Sequence, residues 1–144
     1  MAAARPFAGA EAMAGTADAL WSALEPVDWL EAFAAHPRIG ETGAGRAGGA
    51  GRAGWAQAEQ SGVADAAGQT KRRLADANRD YEARFGYIFI VCATGKTADQ
   101  MLALIEGRLR HDAGVELGIA AEEQRKITQL RLNKLLEQEP DTSP

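Results

Sequence analysis

The run YIFIVC, from Tyr87 to Cys92, is the one stretch of the chain in which aromatic and β-branched residues follow one another without a helical interval. Set between Gly86 and Gly95, it suits a short extended segment. No second run of this kind exists to pair with it, so it cannot belong to a sheet. Its backbone polar groups must then be satisfied in some other way. Around it, alanine is abundant and apolar residues recur at intervals of three and four, the spacing of a helical face. The fold class that follows is all-α: a single-domain helical bundle with one short extended segment near 87–92.

Downstream of that segment, Thr97 and Gln100 form a capping box at the start of a helix that carries Met101, Leu102, Ile105 and Leu109. Asp112-Ala113-Gly114 then breaks the chain, and a last helix is expected from about Ala120 to Glu137, with Ile127, Leu130 and Leu135 on its apolar side. Upstream, Gly86 is placed to cap the C-terminus of a helical stretch that opens near Trp55, is disturbed at Ser61-Gly62 and buries Val63, Leu74, Tyr81 and Phe85. Before it, Gly40 to Gly54 holds seven glycines and no large apolar side chain, which reads as a flexible loop. No Lys-Ser/Thr pair closes this tract and no strand precedes it, so it is not a phosphate-binding loop. Nearer the N-terminus, Thr16 or Asp18 is expected to cap a helix bearing Leu20, Trp21 and Leu24, ended by Pro26. A second helix from Asp28 carries Trp29, Leu30 and Phe33 and stops at Pro37. The domain is expected to span 1–139, with 140–144 a disordered tail.

At 144 residues the chain fits one domain with a proper core. The net charge of −4 comes from interspersed signs, so no basic stripe offers itself to a phosphate backbone and nucleic acid is not an expected partner. The single cysteine, Cys92, cannot form an internal disulfide, and no Cys/His spacing suits a metal. With no signal-peptide core and no apolar stretch long enough to span a bilayer, the expectation is a cytoplasmic protein without a membrane partner.

Four places hold residues suited to chemistry. His36, one of two histidines, lies at a helix C-terminus against Pro37. There it is either a proton-transfer group or simply a favourable partner of the helix dipole. His111 has only the dipole explanation. Glu59-Gln60 follows the glycine tract; it is either a solvated helix face or a carboxylate able to orient a histidine ring and fix its tautomer. Arg131 falls between Ile127 and Leu135 on the helical wheel, inside the apolar stripe. Its head either snorkels to water or meets an anionic ligand or a buried carboxylate.

The segments RPF, DWLEAFAAHPRIGE, AEQSG, YEARFGYIFIVCATGK and EEQRKITQLRLNKLL, in this order and spacing from Arg5 to about Leu136, resemble the ureidoimidazoline (OHCU) decarboxylase family. That resemblance implies an all-helical, cofactor-independent and commonly homodimeric carbon–carbon lyase. The family converts 2-oxo-4-hydroxy-4-carboxy-5-ureidoimidazoline to (S)-allantoin in purine breakdown. It further implies that His36 and Glu59 are the catalytic pair, and that Pro37, Gln60, the backbone near Phe89 and Val91, and Arg131 hold a small ureide substrate. Two features depart from the family pattern. Ala56 stands where a serine is common, and little sequence precedes RPF where the family usually has another helix. A non-catalytic binding module on the same scaffold, or a lyase for a different ureide, is the alternative expectation.

Overall fold

The computed structural model of the protein describes residues 1–38 and 68–138. The glycine tract, the expected helix start near Trp55, Ala56, Glu59, Gln60, Val63 and the tail lie outside the described residues. Among the described residues the chain forms a 3-10 turn at Ala2–Ala4 and five α-helices, with no strand. The helices are α1 (Ala10–Ser22), α2 (Pro26–Ala34), α3 (Gly68–Phe85), α4 (Ala98–Arg108) and α5 (Ala113–Gln138).

Three helix starts differ from expectation, each for a local reason. α1 begins at Ala10 rather than at Thr16 or Asp18, because the alanine-rich stretch propagates helix readily. Thr16 sits inside it and returns its hydroxyl to the Ala12 carbonyl at 2.8 Å. α1 ends at Ser22, and Pro26 is the first residue of α2 rather than the stop of α1. Its missing N–H is harmless at that position, and Glu25 and Asp28 close a capping box around it. α5 begins at Ala113, seven residues before the expected start. The Asp112 carbonyl accepts from the Glu116 N–H at 2.9 Å, so the Asp-Ala-Gly trio opens the helix instead of breaking it. The start of α4 is as the sequence indicates, with both hydrogen bonds of the Thr97/Gln100 capping box formed. Gly86, at φ +83°, follows the end of α3 in the left-handed region that glycine adopts without strain.

The extended segment divides the interior in two. Phe89, Val91 and Ala93 pack with Leu74 and Tyr81 of α3 and with Met101, Leu102 and Ile105 of α4. Ile90 packs on the other side with Phe33 of α2 and Ala120, Ala121 and Ile127 of α5, where Ile88, Cys92, Trp21 and Trp29 adjoin it. This alternation is the period of two of an extended chain, with both faces buried by helices. α1 is fastened to α5 by polar contacts as well. The Trp21 indole donates to the Ala121 carbonyl at 2.9 Å, and Gln129 donates to the Ala14 carbonyl and the Asp18 carboxylate at 3.0 and 2.6 Å.

Candidate active site

His36 lies just past the end of α2, its N–H donating to the Phe33 carbonyl at 3.1 Å. The ring of Phe33, one turn earlier, is fully buried and sits 5.2 Å from that of Tyr87. The helix end is therefore anchored directly against the extended segment. Beyond the exposed Pro37, Arg38 makes a two-pronged bond to Glu82 of α3, with Nε to Oε2 at 2.9 Å and Nη2 to Oε1 at 2.6 Å. Hydrogen bonding from Arg38 holds the Glu82 carboxyl below its ordinary range. An exposed pair contributes little to stability, but its fixed fork fixes where the chain leaves the histidine.

The extended segment has one tied edge. In extended backbone, the N–H and C=O of one residue point to the same side, and those of the next residue to the opposite side. Arg108 donates from Nη1 to the Ile90 carbonyl at 2.6 Å; Glu123 accepts the Cys92 N–H at 2.7 Å; Lys96 donates to the Cys92 carbonyl at 2.7 Å. These contacts engage the Ile90 carbonyl and both backbone polar groups of Cys92 on the even-numbered edge. Among the described residues, no hydrogen bond engages the N–H or C=O of Phe89 or Val91, although both residues are buried. Buried backbone groups in this condition call for a partner. Side chains thus hold one edge of the unpaired run at Ile90 and Cys92, and among the described residues the other edge has no hydrogen-bond partner at Phe89 and Val91.

Arg131 is half-buried on α5, one turn past the buried Ile127. The stripe drawn on the wheel does not stay buried to its end, since Leu135 is 48% exposed; Arg131 stands where the buried face gives way to surface. Phe33, Ile90 and Ile127 share one core, so the helix end bearing His36, the open segment and the part of α5 bearing Arg131 are held around a common centre. Glu59 and Gln60 lie outside the described residues.

The sequence reading missed a buried polar cluster behind the segment. Glu116 is fully buried and Arg108 nearly so. Arg108 reaches Glu116 Oε1 from Nε at 2.6 Å and from Nη2 at 2.5 Å, and the Tyr81 hydroxyl donates to the same oxygen at 2.5 Å. Burial first, and then this bond, push the Tyr81 phenol far above its ordinary pKa, so it stays protonated and a donor. His111 is more than a dipole partner, since its Nδ1 lies 3.0 Å from Glu116 Oε2. The signal was present in the sequence: Arg108 continues the Met101, Leu102, Ile105 stripe at helical spacing, the same displacement that singled out Arg131.

Among the described residues no group of His, Cys, Asp and Glu is arranged to hold a metal ion, and no helix is long and apolar enough to cross a membrane. Among the described residues, His36 past the end of α2, the extended segment and Arg131 at the rim of the same core belong to an all-helical protein. The model of the OHCU decarboxylase family matches residues 1–133, and the chain belongs to that family. It is 37% identical over 130 residues to the uric acid degradation bifunctional protein TTL of Arabidopsis thaliana, a match covering 90% of this chain. It is 34% identical over 86 residues, 56% of this chain, to the 2-oxo-4-hydroxy-4-carboxy-5-ureidoimidazoline decarboxylase of Amia calva. These matches span 40% and 49% of the two relatives' lengths. A crystal structure of OHCU decarboxylase in the presence of (S)-allantoin superposes with a TM-score of 0.79 at 36% identity, covering 94% of this chain and 87% of that one.

Proposed function

We propose that this protein decarboxylates 2-oxo-4-hydroxy-4-carboxy-5-ureidoimidazoline to (S)-allantoin in urate breakdown, as one cofactor-independent domain over 1–139, working as a homodimer in the cytoplasm. Family membership supports the reaction, as does the likeness to an OHCU decarboxylase crystallised with (S)-allantoin. The single observation that carries the site is that, among the described residues, the backbone groups of the buried Phe89 and Val91 take no hydrogen bond. A ureido group or a ring lactam presents adjacent N–H and C=O groups, which is the complement of such an edge.

In the reaction the bond from the ring carbon to the carboxylate breaks, and its electron pair moves into the adjoining ring imine as carbon dioxide leaves. The ring nitrogen that receives the pair takes up a proton, and the enol-like ring then gives up its hydroxyl proton and receives one at the carbon bearing the ureido group, so that one proton is taken up overall as the carboxylate leaves. His36, oriented by Glu59, handles the proton at the hydroxyl or the ring. Gln60, Arg131, Pro37 and the Phe89 and Val91 backbone hold the substrate so that the carbon is protonated from one face, which gives one enantiomer.

The test generates the substrate in place from urate and follows circular dichroism. Rapid appearance of (S)-allantoin is expected, and His36→Ala should lose about 10²–10⁴-fold in rate with its fold intact. Glu59→Gln, which keeps shape and hydrogen bonding, should lose less. Binding of the ureide without turnover by the parent protein would overturn the assignment in favour of a binding module, and a folded His36→Ala protein with parental activity would remove the histidine from the chemistry.

A further inference from the structure

We propose that Arg108 and Glu123 are a pair of positioning residues that aim both backbone polar groups of Val91 at the ligand. Resting on the site described under Proposed function, this assigns to two side chains outside that site the task of setting its geometry.

Two peptide planes flank Val91. A trans peptide is flat, and its C=O and N–H point in opposite directions. In the plane joining residues 90 and 91, Arg108 grips the Ile90 carbonyl at 2.6 Å, so the Val91 N–H is turned the other way. In the plane joining residues 91 and 92, Glu123 grips the Cys92 N–H at 2.7 Å, so the Val91 C=O is turned away likewise. Both Val91 groups therefore face the open edge as a donor–acceptor pair. Such a pair suits a flat group with an adjacent acceptor and donor, as in a urea or a lactam, and discriminates against an ester or carboxylate that lacks the N–H.

Each grip is itself held. Arg108 lies over the Phe89 ring, 4.6 Å from its centroid, and is locked by Glu116 and Tyr81. Glu123 is bound by Lys126 at 2.7 Å. A buried ion pair such as Arg108–Glu116 stabilises a fold no better than well-packed apolar residues of similar volume. Its distinguishing property is direction, since the planar guanidinium meets the carboxylate and the Ile90 carbonyl at set angles.

The experiment compares Glu123→Ala, Glu123→Gln and Arg108→Lys with the parent. It measures kcat, KM, melting temperature and, in ¹⁵N-labelled protein, the shift of the Val91 amide on addition of (S)-allantoin. Glu123→Ala should lose about tenfold or more in kcat/KM, with KM raised, at a melting temperature within a few degrees of the parent. Glu123→Gln, whose amide oxygen still accepts the Cys92 N–H, should recover most of that loss. Arg108→Lys should behave like Glu123→Ala; if it fails to fold, the two Glu123 variants decide alone. The Val91 amide should shift with (S)-allantoin in the parent and not in Glu123→Ala. A folded Glu123→Ala protein with parental kcat/KM and the parental Val91 shift overturns the proposal, as does Glu123→Gln falling as far as Glu123→Ala. Absence of turnover in the parent, with the Val91 shift present there and lost in Glu123→Ala, removes the decarboxylase assignment and leaves the positioning pair standing.

Discussion

Two arginines bear on the core beneath the extended segment, Arg131 on α5 and Arg108 on α4. Both occupy apolar stripes of helices, and both invite the question of what a guanidinium does there. Arg131 was legible because it interrupts the apolar stripe that Ile127 and Leu135 mark on the wheel. Arg108 interrupts its stripe in the same way, but the partner that explains it, Glu116, was hidden beyond a chain break that proves to be a helix start. His36 was legible from Pro37 and the helical spacing before it, whereas nothing local to His111 signals its contact with Glu116. For Arg131 the expected behaviour separates site from scaffold. If it binds substrate, Arg131→Lys should lower kcat/KM despite keeping the charge, because one ammonium cannot replace a planar fork. Arg131→Met should lower it further, with little change in melting temperature, because the residue is only half-buried. Unfolding of Arg131→Met, or unchanged kcat/KM, would make it a structural arginine.

At the scale of elements, the capping box of α4 and the glycine after α3 were readable because both are local chemistry, complete within a few residues. The early start of α5 was not, because Gly114 lowers helix propensity and only the packing of Glu116 and Ala120 repays that. The extended segment was readable as unpaired, but two of its side-chain partners, Arg108 and Glu123, come from later helices and leave no local trace. One of them gives the segment a pH dependence. Burial alone would raise the Glu123 carboxyl, but hydrogen bonds from Lys126 and the Cys92 N–H outweigh it and hold the group below its ordinary range. A carboxyl depressed in the folded state adds stability above its unfolded pKa and loses that contribution as pH falls through the folded value. The gap in melting temperature between parent and Glu123→Gln should therefore be greatest near neutrality and narrow as pH falls below about 4. A gap independent of pH between about 6 and about 3 would mean that the charge of Glu123 does not hold the segment.

Across the whole molecule, the all-α class followed from one run having no partner, and the OHCU decarboxylase family from motifs spread along nearly the entire chain. What no periodicity shows is that this run serves as the wall between two cores, with Phe89 and Val91 belonging to one and Ile90 to the other. That arrangement has a consequence for cooperativity. Loosening either core frees the same few residues, so neither half can melt while the other keeps its packing, and unfolding should be two-state. Ile105, fully buried between α3 and α4, lies in the core away from Trp21 and Trp29, which adjoin the other one. Ile105→Val should cost about 0.5–1.5 kcal/mol. In a Trp55→Phe background, where fluorescence reports Trp21 and Trp29 alone, the denaturation midpoint should fall by the same amount in fluorescence and in far-ultraviolet circular dichroism. If the circular dichroism midpoint falls while the fluorescence midpoint stays where it was, the two cores unfold separately and the segment between them is a seam rather than a shared wall.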